Sequence, residues 1–241
     1  MIDVKNISKA FDEKSILQDV NLTVAGGESC VIIGGSGAGK SVLLKCMLGL
    51  MRPDTGTISI DGAAPGPQLM DRIGMLFQGG ALFDSLPVWQ NVAFKLLRQF
   101  PREAAKARAI EKLAQVGLSP DIAELYPADL SGGMQKRVGL ARAIAADPDI
   151  LFFDEPTTGL DPIMAGAIND LIRSVVDELK VTAITITHDM TSVRAIADQV
   201  AFLHAGAIRW SGSQSDMEHA DEPYLQQFIH GAQIGPIQTT W

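Results

Sequence analysis

Eight consecutive residues, Gly34, Gly35, Ser36, Gly37, Ala38, Gly39, Lys40 and Ser41, follow the pattern G-x-x-x-x-G-K-[ST]. Each residue type meets a need of phosphate chemistry. Glycines let backbone N–H groups curl around phosphate oxygens where a Cβ would collide. Lys40 supplies a point charge for the outer phosphates, and Ser41 a hydroxyl for a magnesium ion. A second stretch, Ile-Leu-Phe-Phe at 150–153, runs into Asp154 and Glu155. An apolar strand that ends in acids is weak on its own and becomes specific beside a phosphate loop. Asp154 is then expected to hold Mg²⁺, directly or through water, and Glu155 to orient and polarise an attacking water as general base. The implied chemistry is phosphoryl transfer, which rests on positioning more than on covalent steps.

Such groups work only if rigid elements hold them. The apolar run at 30–33 reads as a buried central strand that enters the loop, and 41–50 as the helix that leaves it, with its positive end toward the phosphates. The N-terminal part reads as β, with Ile2, Val4 and Ile7 matched by Val20, Leu22 and Val24. Strands are expected at 57–60 and 73–77 around a Pro/Gly-rich turn at 62–67. Further strands are expected at 150–153, 183–187 and 200–203, and helices at 165–179 and 190–197. From 88 to about 117 the pattern is helical, with 102–116 rich in strong helix formers. Alternating strands and helices imply an α/β fold with a mostly parallel sheet covered on both faces. The helical block between 77 and 150 interrupts the alternation and reads as an inserted lobe.

The chain has 241 residues, of which 46% are hydrophobic and 20% charged, ordinary globular values that suit one domain with an attached lobe. Its net charge is -8 with a pI near 4.9, a poor balance for sequence-independent binding of nucleic acid. Cys30 and Cys46 both sit in apolar company and read as buried free thiols of a reducing compartment. The first fifteen residues carry six charges and no apolar signal core. The apolar runs are too short to span a bilayer. Any service to a membrane is therefore expected from the cytoplasmic side, through a partner.

Leu130-Ser131-Gly132-Gly133-Met134 resembles the LSGGQ signature of ABC-type ATPases, with Met134 in place of the glutamine. Ser131 could be an ordinary helix N-cap. A hydroxyl, a bare backbone and a helix start also make an anion site. The rest of the family's pattern follows in order. Gln78 resembles the glutamine that reaches Mg²⁺ and the attacking water. Gly159-Leu160-Asp161-Pro162 resembles the loop that crosses the dimer interface, with Asp161 as its acid. His188 resembles the switch histidine at the γ-phosphate, and Phe11 the aromatic that stacks on adenine, although an aromatic there can equally be core. The resemblance covers roughly residues 2–213. It implies a P-loop NTPase core of mostly parallel sheet, an antiparallel N-terminal β subdomain and an inserted helical subdomain. Residues 1–87 and 148–215 would form the core, 88–147 the helical subdomain and 216–241 a C-terminal extension. It also implies ATP and Mg²⁺ as cofactors and a homodimer, because Ser131, Gly132, Gly133 and Asp161 would serve ATP held by the other subunit.

Lys40 and Ser131 lie 91 residues apart (131 − 40), too close for an inserted coiled coil, which argues against chromosome-structuring relatives. The stretch 79–94 and the continuation Met134-Gln135-Lys136-Arg137-Val138 resemble the ATPase of MCE-type (Mla) phospholipid transport systems, as does the tail 227–237. That resemblance implies an integral-membrane permease, a periplasmic MCE-domain protein and a small STAS-domain cytoplasmic protein as partners, at the cytoplasmic face of the inner membrane. Phe83, Leu86 and Trp89 would then be anchors for the permease, or else part of the lobe's own core. A solute importer, a lipoprotein-release or cell-division type complex, and a soluble regulatory ATPase remain alternatives.

Overall fold

The structure is a computed structural model that describes residues 1–66 and 68–238. Pro67, the last residue of the expected turn, and 239–241, the end of the expected extension, lie outside the described residues. In chain order the elements begin with β1 (Ile2–Phe11), β2 (Lys14–Val24), β3 (Ser29–Ile33), α1 (Lys40–Met47), β4 (Thr55–Ile60), α2 (Leu69–Arg72) and β5 (Ile73–Leu76). Then come α3 (Val88–Val92), α4 (Arg102–Gln115), α5 (Gly132–Ile144), β6 (Ile150–Asp154) and α6 (Pro162–Leu179). The last are β7 (Thr182–Thr187), α7 (Met190–Ile196), β8 (Gln199–His204), β9 (Ala207–Ser213), α8 (Gln214–Met217) and α9 (Pro223–His230). The chain forms two compact units. One comprises Met1–Gly66 and the chain from Ile186 on, the other the residues between.

In the first unit β2, β1 and β4 make an antiparallel sheet, with Val4 opposite Leu22 on one side and Ile58 on the other. Alternation sets its inner face: Ile2, Val4, Val20, Leu22, Val24, Ile58 and Ile60 are all buried. β3 is buried along its whole length and pairs in parallel with β8, and β9 adds to β8 antiparallel. A strand covered on both faces reads as a continuous apolar run, which is why 30–33 looked buried in the sequence. Cys30 on β3 and Cys46 on α1 are free and buried, and burial raises both thiol pKa values. Phe202 on β8 lies 5.4 Å from Phe228 on α9, and His204 lies 4.9 Å from Tyr224 (ring centroids), which fastens the last helix to the sheet.

In the second unit β5 and β6 run parallel, Ile73 opposite Ile150 and Leu76 opposite Phe153, with β7 next to β6. The helical stretch expected from 88 is broken by a short 3₁₀ turn, Leu96–Arg98, before α4 begins after Pro101. Proline supplies the φ of a helix start and ends whatever precedes it. α4 buries Ala105, Ala109 and Leu113, one stripe at four-residue spacing. α5 is buried over most of its length and lies against β5. The two touch at Gly74, where a Cβ would stand 2.1 Å from the carbonyl oxygen of Ala143, so only a bare backbone permits the approach.

The α/β class read from the sequence is the class of the fold, with an antiparallel N-terminal sheet and mixed, mostly parallel pairing elsewhere. Replacing Gly74 by Ala is expected to force β5 and α5 apart and cost about 1–3 kcal/mol. Urea denaturation would show it as a lower midpoint at unchanged slope.

Candidate functional site

β3 delivers the chain to Gly34, which passes so close to β8 that a Cβ would sit 2.1 Å from the carbonyl oxygen of Leu203. The loop then turns into α1, whose first residue is Lys40. The Lys40 ammonium donates to the carbonyl oxygens of Gly34 at 2.6 Å and Gly35 at 3.0 Å, so the charge lies inside the loop. Ser36, Gly37 and Ser41 are exposed, and Ala38 and Gly39 buried. No side chain caps α1, the condition in which a helix start accepts an anion. A side chain begun at Gly35 or Gly37 would meet no atom within 4 Å, which leaves room beside the backbone for phosphate oxygens. The loop therefore fits the triphosphate of a nucleotide.

Two more expected residues lie in the first unit. Phe11 ends β1 and is 44% exposed, with the Lys9 ammonium 5.6 Å from its ring centroid. It is therefore not a core residue. His188 is exposed in the bend between β7 and α7, directly before Asp189, which caps α7 by accepting from the Thr191 N–H at 2.9 Å.

The second unit carries the acids and the helix start. Asp154 ends β6, and Glu155 follows with a positive φ of 48°, left-handed backbone that a glutamate adopts only under constraint. The Thr158 hydroxyl donates to the Glu155 carboxylate at 3.1 Å. The Glu155 carbonyl oxygen accepts from the Thr158 N–H at 3.3 Å and from the Lys136 ammonium at 3.4 Å. Burial holds Lys136 below the ordinary lysine range, and the Glu155 and Asp154 carboxylates oppose that shift. Gln78 is exposed in the turn after β5. The loop beyond it is tied down twice. Arg142 of α5 donates to the carbonyl oxygens of Gly80 at 2.7 Å and Ala81 at 2.8 Å. Buried Asn91 of α3 accepts from the Phe83 N–H at 2.7 Å and donates to the Phe83 and Leu86 carbonyls at 3.1 and 2.9 Å.

Ser131 caps α5, its hydroxyl accepting from the Met134 N–H at 3.3 Å, with Gly132 exposed and Gly133 buried in the first turn. Asp161 caps α6 by accepting from the N–H groups of Ile163 and Met164, both at 3.0 Å, and stays exposed. Each residue serves its own helix while facing solvent, so capping and an anion-side role use the same geometry. Of the three candidate anchors, Trp89 is 2% exposed and belongs to the lobe's core, stacked under the Arg102 guanidinium at 4.6 Å. Leu86 is half-buried. Phe83 is 43% exposed and pairs with exposed Phe94 at 4.8 Å. Lys136 and Asn91 stood out in the sequence only as members of the stretches 134–138 and 79–94, and neither they nor Arg142 showed a bracing role there, since each acts on a backbone carbonyl or N–H, and such groups are present at nearly every position.

Among the described residues no group of three or more His, Cys, Asp or Glu side chains could hold a metal by itself. No helix of the described residues is long and apolar enough to cross a membrane.

The family model described as ABC transporter matches residues 17–158. The probable ribonucleotide transport ATP-binding protein mkl of Mycobacterium bovis is 39% identical, over 98% of this chain and 68% of its own. The intermembrane phospholipid transport system ATP-binding protein MlaF of Haemophilus influenzae is 37% identical, over 99% of this chain and 93% of its own. Among solved structures, the ATP-binding cassette MJ0796, a dimer in a post-hydrolysis state with ADP and Pi, superimposes with a TM-score of 0.80 at 30% identity, covering 89% of this chain and 99% of that one. Likeness of this extent in both sequence and fold makes the chain a member of the ABC transporter family, one of its ATP-binding and ATP-hydrolysing subunits.

Proposed function

We propose that this chain powers phospholipid transport between membranes by hydrolysing ATP as one half of a homodimer at the cytoplasmic face of an inner membrane. The observation that carries the transport reading is the similarity to MlaF, which runs nearly the full length of both chains. The stretches 79–94 and 134–138 point the same way. In this reading the loop Gly34–Ser41 and Lys40 hold the phosphates, and Phe11 stacks on the adenine. Asp154, Ser41 and Gln78 hold Mg²⁺, which would screen the phosphate charge. Glu155 takes up the proton of the attacking water, Gln78 and His188 orient that water and the γ-phosphate, and Ser131, Gly132, Gly133 and Asp161 complete the site of the other subunit.

Residues 88–147 act as a helical subdomain, and the exposed pair Phe83 and Phe94 offers an apolar surface to the cytoplasmic helix of a permease. An MCE-domain protein and a STAS-domain protein complete the assembly. A second reading comes from mkl, whose name assigns ribonucleotide transport to that protein. A mild-detergent pull-down of the tagged chain from membranes, with mass spectrometry of proteins and lipids, separates the two. A permease with an MCE protein and bound phospholipid supports the proposal. A permease with a soluble solute-binding protein overturns the lipid substrate.

Glu155→Gln is expected to lower turnover by about 10²–10⁴-fold while ATP binding is kept, as removal of a general base does. Lys40→Ala is expected to weaken ATP binding itself, read by equilibrium titration with the nucleotide. Specific activity should rise with protein concentration if two chains complete each site. A rate per chain that is independent of concentration, down to monomeric dilution, would sink the composite arrangement.

A further inference from the structure

Among the described residues Lys136 is the only charged side chain that is buried, with 4% exposure. It lies one turn into α5, and its ammonium donates to the carbonyl oxygen of Glu155 at 3.4 Å. The carboxylates of Glu155 and Asp154 are both near enough to act on its charge. Burying an ammonium is unfavourable unless it meets a specific partner. Here the partner is the peptide of a residue held in left-handed backbone, a conformation that persists only where the surroundings enforce it.

We infer that Lys136 is a positioning residue for hydrolysis: its buried ammonium fixes the strained peptide of Glu155 and supports the carboxylate pair at the end of β6. The inference rests on the reading of Glu155 as general base. It also gives α5 a second task. The helix capped by Ser131 touches, one turn later, the backbone of Glu155 in its own chain through a single side chain.

Lys136→Met keeps the length and apolar stem of the lysine and removes the charge. The Glu155 carbonyl keeps its bond from the Thr158 N–H, so the fold is expected to hold. ATP turnover of the full chain should fall by roughly 10²-fold, the loss that follows from misplacing a reacting group, with KM for ATP within about twofold because the phosphate loop is untouched. Lys136→Arg, which restores the charge and donors, should recover most of kcat. Thermal midpoints of all variants would be measured alongside, with Lys136→Gln as the substitute if the methionine variant does not fold. Wild-type kcat in Lys136→Met, no recovery in Lys136→Arg, or failure of both neutral variants to fold would each overturn the inference. Glu155→Gln measured in parallel separates the two ideas. If it hydrolyses ATP normally, the site reading fails. If it is inactive while Lys136→Met is fully active, only the role of Lys136 fails.

Discussion

The carbonyl oxygens of Gly80, Ala81, Val116 and Glu155 all accept hydrogen bonds from cationic side chains of one buried helix, α5. Loops have no internal ladder to fix them, so their backbone groups must be satisfied from outside. Arg142, Arg137 and Lys136 do this for the loop after Gln78, the end of α4 and the turn after β6. Gln135 adds bonds to the carbonyls of Pro127 and Leu130, just ahead of the helix itself. Hydrogen bonds from charged donors are worth about 1.5–3 kcal/mol each. The shape of the second unit therefore depends on α5 staying where it is. Its approach to β5 through Gly74 sets that position.

The motifs that carry phosphate chemistry were legible because the chemistry demands contiguous residues. A phosphate is wrapped by consecutive N–H groups, which fixes the glycines, Lys40 and Ser41 in one short stretch. The Ser131–Gly133 helix start and the strand that ends at Asp154 are likewise contiguous in the sequence. Buried strands were legible for a similar reason, since 30–33 and 150–153 are apolar without interruption. Element ends were less so. The helix expected to 50 stops at Met47, because Gly49 takes a positive φ of 70° and turns the chain. β9, Ala207–Ser213, has a mixed composition with weak alternation and gains its identity only by pairing with β8.

Residues that act over long separations left no trace in the sequence. Arg142 reaches Gly80 across 62 positions, and its acceptor is a backbone oxygen. Asn91 looked like an ordinary polar residue of a helix, yet it is fully buried and braces the loop from Phe83 to Leu86. Trp89 and Phe83 were equivalent candidates by residue type. They part because Trp89 is buried within the lobe, its ring faced by the guanidinium of Arg102, while Phe83 sits on the braced loop and stays in solvent. Burial depends on which helix face meets its neighbours, and a five-residue helix such as α3 is too short to reveal that by periodicity.

The two thiols have a practical consequence. Cys30 and Cys46 lie in the strand before the phosphate loop and the helix after it, at 0% and 2% exposure. Reagents that need a thiolate in contact with water find neither on the native surface. The wild-type chain is thus a blank background for site-directed labelling. A cysteine introduced at an exposed position such as Ile163 would carry a spin label or fluorophore alone, with no native thiol to delete. Conversely, any slow reaction of the native protein with a maleimide would be a clock for transient separation of β3 and α1, the two elements that hold the phosphate loop.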